Sequence, residues 1–502
     1  MQSEHGHGDV SVIIMAQKKS LKLNFVMNAI LTMSSFIFPL ISFPYVSRIL
    51  LPEGTGKVSF ATSLIAYFTM FAQLGIPTYG VRACARVRDD RIKLSRTAQE
   101  LLIINLVMTA LSYCALFAAL LFIPRLRGER TLYLLVSLSM LFNTIGMEWL
   151  YKALEQYTYI TVRSIVFKLV ALIAMFALIH TREDYVLYGG ITILASSASN
   201  ILNFFHARRY ISMRPVRGYH FAPHIKAVAV FFAMACASTV YTNLDTVMLG
   251  FMTSDETVGY YNAAVRIKSI LVSIVTSLGA VLLPRASYYV EHGEMERFRQ
   301  ITRKALNFVF LAAVPMMLYF ILFARQGIYL LSGENYAGSV LPMQWIMPTL
   351  LFIGLSNVLG IQILVPLGRE RVVLWSIVAG AAIDVVLNVL LIPKYGATGA
   401  AAATSVAELT VLAVQFIVLG KDARTAFGTV SYWKLLSALA IGIGASVWVP
   451  VLGWGSFLTL LLSGVLFFGS YFAVLLLLKE TLIRELFHQL LGKIKRNRSE
   501  PI

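Results

Sequence analysis

Seven side chains able to hold a charge or a polar solute lie inside stretches that are otherwise apolar: Lys168, Asn243, Asp245, Arg266, Lys268, Asp384 and Glu408. Arg48 stands at the end of the first such stretch. An ionisable group inside a bilayer is costly, so each marks either a charge pair between helices or a route for an ion or polar solute. Asp245 is about six residues from the end of the run 225–251, and Arg266 about seven residues into the run 259–283. At about 1.5 Å of rise per residue, both lie roughly 10 Å deep. Antiparallel neighbours joined by a short loop would let these two charges pair. Lys268 falls on nearly the opposite face from Arg266, toward a cavity or another helix. Arg266, Lys268 and Lys168, with Asn243 and Arg48, form a cationic, polar set suited to an anionic head group. Asp384, with Asn388 one turn further on the same face, and Glu408 near the middle of its run are carboxyl candidates for taking up H⁺ or Na⁺. Gln73, Asn143 and Asn357 suit either solute hydroxyls or hydrogen bonds between helices. Glu148 reads as solvated near an interface.

The elements that hold these groups follow from composition. Of 502 residues, 58% are hydrophobic and only 14% charged, against about half and about a quarter in soluble domains. Apolar runs of about 20 residues, the length of a membrane-spanning helix, occur near 24–46, 58–78, 99–123, 131–151, 160–180, 185–206, 225–251, 259–283, 304–324, 341–366, 372–392, 396–419, 432–450 and 455–478. They are continuous rather than alternating, which predicts helices and not a barrel. Basic residues test the count. With a cytoplasmic N-terminus, 32 Lys and Arg fall in cytoplasmic segments, 8 in outer loops, and 3 inside spans. This alternation predicts fourteen spans with both termini cytoplasmic. It also accounts for the net charge of +18 without invoking nucleic acid. Three cysteines, Cys84, Cys114 and Cys236, exclude a disulfide scaffold. No cleavable signal peptide is evident. Met1 to Ala16 is unlike the rest of the chain, so Met15 is an alternative start, and His5 and His7 read as part of a tail.

The chain repeats itself. Gly56-Lys-Val-Ser-Phe-Ala opens the second span and Gly259-Tyr-Tyr-Asn-Ala-Ala the eighth, 203 residues later. Leu74-Gly75 with Arg82-Ala83 matches Leu278-Gly279 with Arg285-Ala286. A displacement of six spans keeps the orientation, so the copies are related by an axis along the membrane normal. The predicted fold is an all-α integral membrane protein of about fourteen helices. Two six-helix lobes, 23–219 and 220–423, carry spans 1–6 and 7–12, and spans 13–14 follow at 424–480. Tails at 1–22 and 481–502 lie in the cytoplasm, the second basic through Lys493, Lys495, Arg496 and Arg498. Tight outer turns are expected at Leu51-Pro52-Glu-Gly54-Thr-Gly56 and Ile392-Pro393-Lys-Tyr-Gly396. Gly54-Thr-Gly56-Lys57 is too short for a nucleotide loop. No Cys or His pair has metal-ligand spacing, and no loop is long enough for a catalytic domain. No cofactor is expected, and an enzyme is disfavoured.

A set of motifs in order then carries a resemblance. Phe43-Pro44-Tyr45-Val46-Ser47-Arg48 ends the first span, and Leu74-Gly75-Ile76-Pro77-Thr78-Tyr79-Gly80 ends the second. Asn243-Leu244-Asp245-Thr246-Val247-Met248-Leu249-Gly250 precedes Val258-Gly259-Tyr260-Tyr261-Asn262-Ala263-Ala264. Pro366-Leu367-Gly368 and Asn388-Val389-Leu390-Leu391-Ile392-Pro393-Lys394-Tyr395-Gly396-Ala397 follow. From about 22 to 480 the chain resembles the polysaccharide transporter family, the O-antigen and capsule repeat-unit flippases of the multidrug/oligosaccharidyl-lipid/polysaccharide superfamily. That resemblance implies a polyprenyl-diphosphate-linked oligosaccharide moved from the cytoplasmic to the outer leaflet by alternating access. It implies a bacterial or archaeal plasma membrane, with polysaccharide polymerase and glycosyltransferases as partners. The alternatives are a multidrug or cation antiporter of the same superfamily, a peptidoglycan-precursor flippase, or a scaffold for a synthase complex.

Overall fold

The computed structural model describes residues 21–216, 218–420 and 430–485, with 423, 427 and 428. The Met1–Met15 segment and the basic tail from Lys493 to Arg498 lie outside them. Among the described residues eleven helices are long and apolar enough to cross a membrane, and a bent pair, Glu334–Ile346 and Thr349–Leu364, makes a twelfth crossing. Two of these helices are too long for one crossing. Leu21–Gln73 has 53 residues and Glu370–Leu419 has 50, about 75–80 Å of helix against about 30 Å of hydrocarbon. Each breaks once, at Leu51 (φ 58°, ψ 180°) and at Gly396 (φ 53°, ψ −127°). Split at these breaks, the described residues give fourteen crossings. We label these crossings α1 (21–50), α2 (52–73), α3 (Arg91–Phe122), α4 (Arg130–Ala153), α5 (Tyr157–Leu178), α6 (Arg182–Arg209) and α7 (Ala222–Met252). The remainder are α8 (Asp255–Glu291), α9 (Met295–Leu322), α10 (334–364), α11 (370–395), α12 (397–419), α13 (Tyr432–Leu452) and α14 (Ser456–Leu477).

The breaks fall at the two Pro-Gly turns expected from the sequence. Antiparallel contacts show that the chain reverses at Gly396. A Cβ on Gly399 would stand 2.5 Å from the Leu391 carbonyl oxygen, Gly380 faces Val411, and Gln415 Nε2 donates to Ser376 Oγ at 3.0 Å. A continuous helix would separate residues 391 and 399 by about 12 Å. Two spans depart from the simple helices expected. α10 bends by 41° after Ile346 and runs on as a π-helix over Asn357–Leu364, and α4 breaks at Met147, whose φ is 41°. The start of α3 is capped by Asp90, whose carboxylate accepts from the amides of Ile92 and Lys93 at 3.0 Å each. Those bonds, chiefly the one from Lys93, hold the Asp90 carboxyl below its usual range, as expected for an anion at a helix N-terminus.

The chain forms two compact units. One comprises residues up to 42, 65–180 and 186–236; the other comprises 43–64, 181–185 and 237 onward. In the first, Ile76, Cys84, Leu94, Leu101, Trp149 and Leu150 make one apolar core. Polar bonds tie its helices: Asn105 Nδ2 donates to the Ala72 carbonyl at 2.8 Å, and Gln73 Nε2 donates to Thr144 Oγ1 at 3.1 Å. In the second unit α13 and α14 form a hairpin. Tyr319 on α9 donates to the Leu460 carbonyl at 2.8 Å, and Tyr471 to the Leu311 carbonyl at 3.0 Å.

The two repeat-related glycines meet within the second unit. A Cβ on Gly56 would overlap the Asp255 carbonyl, and a Cβ on Gly259 would overlap the Pro52 carbonyl. Asp255 lies 203 residues after Pro52, as Gly259 does after Gly56. The contact is thus reciprocal about a local two-fold axis that relates these two pairs of residues. Two helices can approach this closely only where neither carries a side chain.

The Gly396 hairpin makes the first prediction. Gly399→Val drives a branched side chain into the Leu391 backbone, and overpacking of this kind costs about 1–3 kcal/mol. A thermal-shift measurement on the detergent-purified protein is expected to show a lower Tm. Gly444→Val, where an added Cβ meets nothing within 4 Å, is expected to leave Tm near the wild-type value.

Candidate functional site

Three of the carboxyls singled out in the sequence come together in the second unit. Asp245 on α7 is 7% exposed, Asp384 on α11 3%, and Glu408 on α12 6%. Helical periodicity explains why they meet. Residues four apart share a helix face and lie about 6 Å apart along the axis, and α7, α11 and α12 each place two polar groups in that spacing. These are Tyr241 and Asp245, Asp384 and Asn388, and Thr404 and Glu408. Helix α8 adds Tyr261 and, two turns along, Lys268. Because α7 and α11 run antiparallel to α8 and α12, the eight residues stack as two layers. One holds Asp245, Tyr261, Asn388 and Thr404. The other holds Tyr241, Lys268, Asp384 and Glu408.

The first layer is closed by hydrogen bonds. Asp245 accepts from Asn388 Nδ2 and from Thr404 Oγ1, both at 2.7 Å, and from the Tyr261 hydroxyl. Three donors thus meet one buried carboxylate, as buried polar groups require. In the second layer Tyr241 lies near enough to Glu408, and Asp384 near enough to Asp245, for each pair to interact electrostatically. Two acceptors are left over. Asp384 Oδ1 and Asn388 Oδ1 are buried without a partner, which costs about 1–3 kcal/mol per group unless something satisfies it. Both are oxygens, and a proton or a cation would satisfy them. Lys268 is half-buried and close enough for its charge to act on both Asp384 and Glu408. No ion pair among the described residues joins it to a carboxylate within 4 Å.

The other expected site residues take different roles. The Asp245–Arg266 pair does not form. The α7–α8 turn sets a register in which Asp245 faces Tyr261, and Arg266 is five residues, about 7.5 Å, further along. Its guanidinium instead lies over the Phe43 ring, 4.3 Å from the centroid, a cation–π contact. Arg48 is also tied to backbone. Its Nη2 donates to the Leu330 carbonyl at 2.6 Å and its Nη1 to Pro44 and Leu331. It thereby supplies donors to the last carbonyls of the helix Ala324–Ser332. Lys168 donates to Ser34 Oγ and Ser35 Oγ of α1 at 2.8 and 3.0 Å, within the first unit. Asn243 bonds to its own helix, at the Thr239 carbonyl and Thr242. Gln73 and Asn143 serve contacts between helices, Asn143 accepting from Asn200 at 2.9 Å. Asn357 pairs with Gln362 inside the π-helix at 3.4 Å.

Two residues escaped the sequence reading altogether. Gln99 and Glu100, adjacent on α3, grip the segment that joins α6 to α7. Gln99 donates to the Ser212 and Arg214 carbonyls (2.6 and 2.9 Å) and accepts from the Val216 amide and the Tyr219 hydroxyl. Glu100 accepts from the His220 amide at 2.6 Å and meets His224 Nε2 at 2.8 Å, while His224 Nδ1 meets the Tyr79 hydroxyl at 2.8 Å. The available signal was a carboxyl at the start of an apolar run facing two histidines, but only the folded chain brings residue 100 beside residue 220.

Residues 21–290, more than half of the chain, match the family model described as "Polysaccharide biosynthesis protein". The chain belongs to this family. A second model, MatE, matches residues 230–390, the stretch that carries α7 to α11. Relatives of the family member described here include the "Putative O-antigen transporter" of Escherichia coli, 23% identical over 80% of this chain and 95% of that protein. The "Probable flippase AglR" of Haloferax volcanii is 28% identical over 33% of this chain and 35% of its own. Among solved structures, "Lipid II flippase MurJ, inward closed conformation" superposes with a TM-score of 0.70 over 91% of this chain and 100% of that one, at 16% identity. The fold is therefore that of a multi-pass helical membrane protein of this superfamily, and the relatives are transporters and flippases rather than enzymes.

The Gln99–Glu100 grip makes a prediction. Glu100→Ala leaves the His220 amide and the His224 ring without their acceptor, and a lost buried partner of this kind costs about 1–3 kcal/mol. Limited proteolysis of the purified protein is expected to show faster cleavage in the 210–221 segment than in wild type.

Proposed function

We propose that this protein is a flippase for lipid-linked oligosaccharides. It moves a polyprenyl-diphosphate-linked repeat unit from the cytoplasmic to the outer leaflet of a bacterial or archaeal plasma membrane, for cell-surface polysaccharide assembly, and does so by alternating access. Its two termini face the cytoplasm, and polysaccharide polymerase and glycosyltransferases work beside it. The observation that carries this reading is a half-buried lysine, Lys268, beside buried carboxyls inside a fourteen-span fold of a polysaccharide biosynthesis family. A lipid diphosphate needs a cation within the bilayer, the glycan needs polar groups, and the prenyl tail needs lipid. Lys268 and the unpaired guanidinium edge of Arg266 are the cations assigned to the diphosphate. The Asp245, Asp384, Asn388 and Thr404 oxygens are assigned to a coupling ion, H⁺ or Na⁺, with Glu408 and Tyr241 behind them. The ion reading rests on Asp384 Oδ1 and Asn388 Oδ1, buried acceptors with no donor.

A peptidoglycan-precursor flippase is the second reading, favoured by the likeness to "Lipid II flippase MurJ". The glycan separates the two, since both readings share the lipid diphosphate.

Proteoliposomes test the proposal. A fluorescent polyprenyl-diphosphate oligosaccharide is followed by its accessibility to a membrane-impermeant glycosidase. Wild-type protein is expected to move it across the bilayer, and Lys268→Ala to slow that movement at least tenfold, the effect of about 1.4 kcal/mol of lost transition-state or binding energy. No movement of the lipid, with efflux of a cationic dye in its place, would replace the flippase by an antiporter. In the same vesicles, Asp384→Asn is expected to remove the response of the rate to an imposed Na⁺ or pH gradient. A response unchanged in Asp384→Asn and in Glu408→Gln alike would take the coupling ion away from this cluster.

A further inference from the structure

Arg163, on α5 in the first unit, is 7% exposed, and most of its hydrogen-bonding capacity is unused. Its Nε and Nη1 are buried with no partner. Its Nη2 lies 3.8 Å from Glu148 Oε2, beyond hydrogen-bond length. A guanidinium keeps its proton, so burial does not neutralise it. A buried cation of this kind needs acceptors, and the N–H groups on Nε and Nη1 have none.

The surroundings show why the protein supplies no acceptor. α4 breaks at Met147, and the short helix Glu148–Ala153 that follows lies against α5. Tyr159, one turn before Arg163 on the same face, stacks on Tyr151 of that short helix with ring centroids 5.2 Å apart. Glu148 and Glu155 stand at this corner, and each already has its own cation. Glu148 Oε1 pairs with Lys152 at 2.8 Å, and Glu155 Oε1 with Arg88 at 2.8 Å. Arg163 is the positive charge left over. The same end of α5 has further unused donors. The helix begins at Tyr157 after Gln156, which gives no side-chain cap, and the amides of a first helical turn have no acceptor within the helix. Thr158 Oγ1, in that first turn, is buried without a partner. Side chains lean toward the N-terminus of their helix, and the approach to Glu148 shows that the Arg163 guanidinium does so. A positive helix end and a buried guanidinium together favour an anion with several acceptor oxygens.

We propose that the start of α5 is a phosphate site built on Arg163, and that the phosphate belongs to the head group of an anionic membrane lipid. The Glu148 carboxylate is its cover. That carboxylate makes no hydrogen bond to the guanidinium and is tied to half-exposed Lys152, an exposed pair that costs little to move. The phosphate takes its place on Arg163. The adjoining face of α5 argues for a lipid. Val162, Val166, Leu169 and Ile173 recur at helical spacing and are all exposed, a stripe along which acyl chains lie beside a head group. The distribution of Lys and Arg predicts this end of α5 to be cytoplasmic, and basic pockets between helices on that side suit anionic head groups. Nothing in the proposed transport uses Arg163, so the two readings fail separately.

The test uses the full chain in detergent. Native mass spectrometry measures the first bound dioleoylphosphatidylglycerol, and thermal shift follows inorganic phosphate. Wild type is expected to retain the lipid, and Arg163→Gln to bind it about tenfold more weakly, the loss of a charge-assisted hydrogen bond. Arg163→Lys, a point charge without the planar fork, is expected to fall between them. Glu148→Gln removes the competing carboxylate and is expected to bind the lipid about twofold more tightly than wild type, a gain that a folding defect does not give. Protection of wild type by inorganic phosphate that is lost in Arg163→Gln, with no lipid retained, would overturn the lipid as occupant and keep the phosphate site for the soluble ion. Equal lipid binding by wild type and Arg163→Gln, or no gain in Glu148→Gln, would overturn the site and leave the free N–H groups to water.

Discussion

A carboxyl group in hydrocarbon must find donors within the protein, since lipid offers none. That constraint organises the second unit of this structure. Asp245 lies at 7% exposure and is met by an amide, a hydroxyl and a phenol from three other helices. Removing water raises both the strength of these bonds and the cost of leaving one unmade. The four helices α7, α8, α11 and α12 are thereby held in one register, and the second polar layer one turn away inherits that register from the first. The cluster fixes the helices, and it leaves two acceptors over, Asp384 Oδ1 and Asn388 Oδ1.

Backbone shape makes that convergence possible. α11 and α12 bring Asp384, Asn388, Thr404 and Glu408 together only because the chain reverses at Gly396, where φ is 53°. Pro393 stands on one side of the reversal and a run of alanines on the other. Small residues then let the two arms lie close enough for Gly399 to touch the Leu391 backbone. The Leu51 break performs the same reversal between α1 and α2 with a left-handed leucine ahead of Pro52. A non-glycine residue in that region carries strain, and the surrounding contacts of Gly56 with Asp255 and of Thr55 with Tyr336 (2.7 Å) hold it in place.

The reciprocal approach of Gly56 and Gly259 gives the repeat a physical meaning. Equivalent residues of two copies, 203 positions apart, use the same carbonyl-to-glycine contact toward each other. A symmetric contact of this kind needs each surface to complement itself, so glycine at one position demands glycine at its counterpart. Nearby arginines do mechanical work on this end of the unit. Arg48 supplies donors to the end of a short helix that would otherwise leave carbonyls unpaired, and Arg266 rests on Phe43. Charge on these two arginines is thus used in two ways, to satisfy backbone and to rest on an aromatic ring.

The sequence by itself determined the number of spans, the positions of the two sharp reversals, the spacing of the repeated motifs and three of the buried carboxyls, Asp245, Asp384 and Glu408. Each of these is written in one-dimensional quantities: run length, the Pro and Gly that punctuate it, residue spacing, and the rarity of charge among apolar neighbours. The tertiary structure decided which of those groups meet. Asp245 was equally placed, by depth, to pair with Arg266, and Lys168 had the same standing as Lys268. Depth along a helix is legible in a sequence, but rotation about its axis and the register of its neighbour are not. A shift of a few residues between α7 and α8 exchanges Arg266 for Tyr261 as the partner of Asp245. Gln99 and Glu100 stayed hidden for the same reason: their partners at 212–224 lie more than a hundred residues away along the chain, and only packing makes that distance short.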